Sequence, residues 1–110
     1  MNIREQHGTV ILELKGKLVG GSLNGRMNQT LNNLLDQGKK NIVVDLSSVT
    51  HINSSGMGIL ISGYSKVKDK GGALKLANLT SKMKGLLSIT KLNRIFETYN
   101  SVDEAVQSFI

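Results

Sequence analysis

The chain has no cysteine, no proline and no tryptophan in its 110 residues. Without cysteine there is no disulfide framework, no thiolate metal site and no thiol nucleophile. No linker, low-complexity segment or internal repeat divides the chain, so one domain over residues 1–110 is expected. A domain of that length buries roughly two-thirds of its unfolded surface, enough for a core without covalent staples. Aromatic residues number four, Tyr64, Phe96, Tyr99 and Phe109. They are a poor supply of stacking platforms for single-stranded nucleic acid. No apolar run approaches the ~20 residues that span a bilayer. The first residues lack an apolar signal core, so a cytoplasmic protein without membrane insertion is expected. Acidic residues are also scarce, 8 against 14 lysines and arginines, for a formal net charge of +6. The lysines are scattered, which reads as a solvated basic face. An acidic protein partner, or weak attraction to anionic lipid or nucleotide, is the functional alternative; direct nucleic-acid binding is not expected.

The most informative stretch is Asn41 to Leu60. Ile42-Val43-Val44, ending at Asp45 and Leu46, is short, β-branched and followed by Ser47-Ser48, which predicts a buried strand closed by a turn. Asp45 is expected to anchor that turn. After it come Asn53-Ser54-Ser55-Gly56 and a longer amphipathic run. Asn and Ser are favoured helix N-caps, because their side-chain oxygens accept an orphan backbone N–H. A serine hydroxyl is therefore expected at the mouth of a helix, beside the C-terminal end of a central strand, where open α/β sheets meet ligands and partners.

A strand–serine–helix turn has three readings. A hydrolase nucleophile elbow requires glycine two residues before and after the serine. Ile52 and Asn53 occupy the preceding positions, so that reading fails. A second is a helix cap and nothing more. The third is a regulatory serine. A phosphate at a helix N-terminus meets free N–H groups and the positive end of the dipole. It adds roughly −1.5 to −2 charges without unfolding the helix. His7 and His51 are isolated, and no metal-ligand spacing occurs, so neither an enzyme, a metal nor a cofactor is expected.

In chain order, Asn2 to Gln6 is a short edge strand and Thr9 to Leu14 a clear one, with Gly8 turning between them as an antiparallel pair. Gly16 and Gly21 have the spacing of a phosphate loop, but Ser22 stands where its lysine belongs. Gly20-Gly21 therefore reads as a turn, with Ser22 capping a helix over Leu23–Asp36. Leu23, Met27, Leu31 and Leu34 or Leu35 form its stripe, and Gly38 ends it. A second helix is predicted over Ser55–Lys70, with Met57, Leu60, Ile61, Tyr64 and Val67 inward. Gly71-Gly72 breaks it. A strand over Ala73–Ala77, a helix over Ser81–Ile89 and a short strand at Phe96–Tyr99 follow. The last helix is capped by Ser101, with Glu104 completing a capping box. Strands alternating with helices predict a mostly parallel central sheet of four to five strands with about four flanking helices.

Asn53-Ser54-Ser55-Gly56-Met57-Gly58 resembles the Asp-Ser-Ser/Thr-Gly-Leu-Gly signature of the STAS domain, in particular the bacterial anti-sigma factor antagonists. Gly71 to Asn78 resembles that family's Gly-Gly-x-Leu-x-Leu-x-Asn strand. Ile89-Thr90-Lys91-Leu92 through Ile95-Phe96 resembles the exit of its third helix. The resemblance covers nearly the whole chain and implies the STAS fold. It also implies partner switching: the antagonist binds an anti-sigma factor that is also a serine kinase and so releases the sigma factor. The kinase ends the complex by phosphorylating the motif serine, and a serine phosphatase resets it. That serine falls on Ser54. The implied contact comprises Asn53, Ser54, Ser55, Gly56 and Met57 with Gly20, Gly21 and Ser22 of the Gly16–Ser22 loop. Two acids of the family pattern are absent: Asn53 replaces the Asp before the serine, and Gly16-Lys17-Leu18-Val19 replaces Gly-Glu-Leu/Ile-Asp. The alternative is a non-switching STAS scaffold or transporter-associated module that binds protein or nucleotide without serine phosphorylation.

Overall fold

A computed structural model describes all residues, 1–110. The elements in order are β1 (Asn2–Gln6), β2 (Thr9–Leu18), α1 (Ser22–Asp36), β3 (Asn41–Ile52) and α2 (Ser54–Asp69). They are followed by β4 (Ala73–Ala77), α3 (Ser81–Ile89), a 3-10 turn (Leu92–Arg94), β5 (Thr98–Tyr99) and α4 (Val102–Gln107). The sheet order is β1-β2-β3-β4-β5. β1 is antiparallel to β2, and the other three pairings are parallel. This is the mostly parallel α/β sheet expected from the sequence.

Alternation along the strands sorts the side chains between two faces. Val10, Leu12, Leu14, Ile42, Val44, Leu46, Leu74 and Leu76 join the main core, with Met27, Leu31, Leu60, Val67, Met83 and Leu87 from α1, α2 and α3. Ile11, Val43 and Ala77 point the other way and are covered by Val102, Ala105 and Val106 of α4. Lys75 shares that second face and is buried. Its ammonium bonds Ser108 Oγ at 2.8 Å, pairs with Glu97 at 3.6 Å and lies 4.1 Å from the centre of the Phe109 ring. A buried cation is tolerated where charge, hydrogen bond and π face together replace water.

The central strand is longer than expected. Ser47 and Ser48 do not end β3; it continues to Ile52. β2 likewise runs past Leu14 to Leu18, so Gly16, Lys17 and Leu18 belong to a strand rather than a loop. The two extensions pair with each other, Lys15 to Ser48 through Leu18 to Ile52, with register shifts between Glu13 and Lys15 and between Gly16 and Lys17. Both serines are exposed, which marks a bulge in the alternation. Ladder hydrogen bonds and the burial of Val49 and Ile52 outweigh the turn preference of two serines. Asp45 is buried inside β3 rather than at its end. It accepts hydrogen bonds from Ser47 N and from Asn78 Nδ2, both at 3.0 Å, so it anchors the bulge and fastens β3 to the chain leaving β4.

Three further details at helix starts differ. Ser22 does not cap α1: Gly21 holds the cap position, no side chain bonds there, and Ser22 is the first helical residue. Gly20 and Gly21 have φ of +99° and +70°, a left-handed turn that an L side chain would strain. Helix α2 starts at Ser54, one residue earlier than expected, because Asn53 is the cap. In α4 the Ser101 hydroxyl accepts from Glu104 N as expected, while Glu104 reaches back to Asn100 N rather than Ser101 N.

Candidate functional site

The extended β2–β3 ladder carries the start of α2 to the end of the sheet. β4 stops pairing at Ala77, opposite Asp45, so β3 beyond Asp45 has only β2 beside it. Asn53 leaves β3 in extended conformation, and its Oδ1 accepts from Gly56 N at 2.9 Å. Gly56 is pressed onto β2: a Cβ there would collide with the Leu18 carbonyl oxygen. It is buried and sets how closely the helix approaches the strand. Because the cap is an asparagine, the hydroxyls of Ser54 and Ser55 are not spent on it, and both serines are exposed.

The two serines face different hollows. Ser55 borders a polar groove of about 420 Å³ with Val19, Gly20, Gly21, Asn24, Gly58 and Ser62. Any side chain at Gly20 would bring its Cβ to 3.1 Å from Ser55 Cβ. Ser54 borders a groove of about 450 Å³ between α2 and α3, walled by Ile52, Asn53, Met57, Ile61, Lys82, Leu86, Thr90 and Leu92. Of the residues expected to form one contact surface, Asn53, Ser54 and Met57 line the second groove, and Ser55, Gly20 and Gly21 the first. Ser22 is exposed on α1 and lines neither. The Gly16–Ser22 loop shortens to Val19–Gly21.

The sequence reading missed the α3 side of this site. Ile61 was expected to be inward but is 36% exposed along the groove. Lys82 carried no signal, because nothing in local spacing brings the first turn of α3 beside that of α2. No acidic residue lies in the first turn of either helix. Lys82 also walls a smaller hollow with Thr50 and His51, so it stands at the end of the β3 extension.

Asp45 lies in β3 before the extension, with its carboxylate hydrogen-bonded. Burial would raise its carboxyl; the hydrogen bonds from Asn78 and Ser47, with the Arg4 charge, outweigh that and hold it below the ordinary carboxylate value. It is a framework group, for it lines neither groove. No three His, Cys, Asp or Glu side chains cluster as metal ligands, and no helix is long and apolar enough to cross a membrane.

Comparison with known proteins matches residues 1–105 to the family profile described as the STAS domain. A Thermotoga neapolitana protein described as a candidate anti-sigma factor antagonist is 32% identical over 73 residues, 66% of this chain and 65% of that one. The match thus spans less than two-thirds of that relative's length. The anti-sigma-B factor antagonist of Bacillus subtilis is 32% identical over 74 residues, 67% of each chain. Among solved structures, a candidate anti-sigma factor antagonist of Thermotoga maritima superposes with a TM-score of 0.87 at 24% identity, over 97% of this chain and 92% of the other.

Proposed function

Because this chain belongs to the STAS domain family, we propose that it acts as an anti-sigma factor antagonist whose binding is switched at Ser54. Unphosphorylated, it binds an anti-sigma factor that is also a serine kinase and releases the sigma factor. Phosphorylation of Ser54 ends the complex, and a serine phosphatase restores it. The relatives' names support the partner class. One observation carries the switch: Ser54 is exposed in the first turn of α2 while Asn53 does the capping. A phosphate on it meets free N–H groups and the helix dipole, so the helix survives modification. The same phosphate stands at the mouth of an apolar groove, where a docked partner would have to desolvate it. A penalty of ~3 kcal/mol weakens binding roughly a hundredfold, enough to switch partners without refolding.

Val19 and Asn53 stand where the family pattern has acids, so the proposal includes a partner kinase that does not depend on them. The test is affinity capture from native lysate with the wild type, Ser54→Ala and Ser54→Asp as baits. A kinase-like partner retained by the first two and lost from the third is the expected result. Equal capture by all three would overturn switching through Ser54.

A further inference from the structure

We propose that the α2–α3 groove is a docking slot for an amphipathic segment of a partner protein, one that carries carboxylates beside its apolar side chains. Lys82 would read those carboxylates. The inference rests on the reading that the face around Ser54 meets a protein, and it assigns the chemistry of what enters.

The groove has an apolar floor and a single charged wall residue. Ile52, Met57, Ile61, Leu86 and Leu92 supply the apolar lining, and Lys82 is the one ionisable side chain among the lining residues. Charge around it is one-sided. From Ser81 to Phe96, which is α3 and the turn after it, the chain has four lysines and arginines, Lys82, Lys84, Lys91 and Arg94, and no acid. Lys82, Lys84, Lys91 and Arg94 take part in none of the three ion pairs. A cation outside any ion pair in the wall of an apolar slot, with three more on α3 and the turn after it, favours an acidic partner through the rate of encounter and through specificity against basic ones. An amphipathic helix in a groove is a common way of satisfying such a surface. The apolar lining is a recess of about 450 Å³, which suits the side chains of a docked segment; Ile89 stands exposed at the end of α3, where a bilayer would meet it, so vesicles are an arm of the test.

Ser54 and Lys82 wall the same groove. On the switching reading a phosphate on Ser54 repels the partner's carboxylate; the slot itself does not require that modification.

The test uses the full chain, ¹⁵N-labelled, and a designed amphipathic helix with leucine on one face and glutamate along its borders. The comparison peptide has glutamine for every glutamate. The proposal expects amide shifts at Met57, Ile61, Leu86 and Leu92, and at least about tenfold tighter binding of the glutamate peptide. Lys82→Glu should remove that preference, while Lys40→Glu, the same charge change at the opposite end of β3, should keep it. Equal binding of the two peptides, equal loss in both variants, or shifts produced by phosphatidylglycerol vesicles but by neither peptide would overturn it. A protein carrying phosphoserine at position 54 separates the two readings. Unchanged peptide binding there counts against switching through Ser54 and leaves the slot standing, whereas indifference to glutamate counts against the slot alone.

Discussion

At the scale of single residues, the site depends on Gly56. Its Cα lies against the Leu18 carbonyl, and a methyl group there cannot be relieved by a rotamer change because the obstacle is backbone. Gly56→Ala is expected to lower stability by ~3 kcal/mol or more, read from the urea midpoint. Gly58, two residues on, has open space around a Cβ. Gly58→Ala should be neutral or add roughly 0.5–1 kcal/mol, since alanine restricts the unfolded chain. Similar losses from both substitutions would refute the close-approach account.

Asp45 makes a second residue-scale prediction. The hydrogen bonds from Asn78 and Ser47 hold its folded-state pKa below the ordinary carboxylate value. A depressed carboxyl contributes stability above its unfolded value, and that contribution is lost as pH falls through the folded one. Denaturant midpoints should therefore hold down to about pH 4 and decline below it. Asp45→Asn should flatten part of that decline, and a profile identical to wild type would remove Asp45 from the account. Asn78 donates to Asp45 while sitting at φ +61°, so the bond also holds a left-handed asparagine in place.

At the scale of elements, three helices are capped by side chains other than Ser54 and Ser55. Asn53 caps α2, Thr80 caps α3 and Ser101 caps α4, each accepting from an N–H three residues on. Asn53→Ala should cost about 1 kcal/mol, and Asn53→Asp should hold or slightly raise stability through the helix dipole. Ser54→Asp also places a negative charge in the first turn, so its melting temperature should stay at or above that of wild type. Partner loss with that stability retained is the signature of a switch; partner loss with a fall in melting temperature would point to an unfolded helix. On the other face of the sheet, Lys75 ties β4 to Ser108 and Phe109 beyond α4. Lys75→Ala should raise amide exchange in α4 before the main core opens, because α4 belongs to the separate, smaller apolar cluster.

The elements were legible in the sequence where one local signal settled them. The stripe Met27, Leu31 and Leu34, the Gly71-Gly72 break, the bounds of α3 and the cap of α4 needed nothing beyond their own neighbours. The extension of β3 was not legible. Ser47 and Ser48 favour a turn locally, and only β2 alongside makes strand the better state there.

For the whole molecule, the +6 charge is distributed so that α3 and the turn after it carry no acid. If an acidic partner docks there, affinity should fall with ionic strength through the association rate, read by stopped-flow at rising salt. A salt-independent rate would argue for an apolar contact without steering.

The sequence alone determined the alternation of strands and helices, the antiparallel first pair, and a serine-bearing helix start after a central strand. Those features rest on periodicity, turn residues and caps, which act over a few residues. The tertiary structure decided that Asn53 rather than a serine is the cap, that Gly56 is a contact with β2, and that Ser54 and Ser55 open onto different grooves. It also decided that Lys82 and Ser54 line one groove. Those two lie 28 positions apart in the chain, and only the packing of α3 beyond the end of β4 brings them to one groove. Proximity of that kind comes from the burial of Met83, Leu87 and Val49 against a common core, which no local spacing encodes.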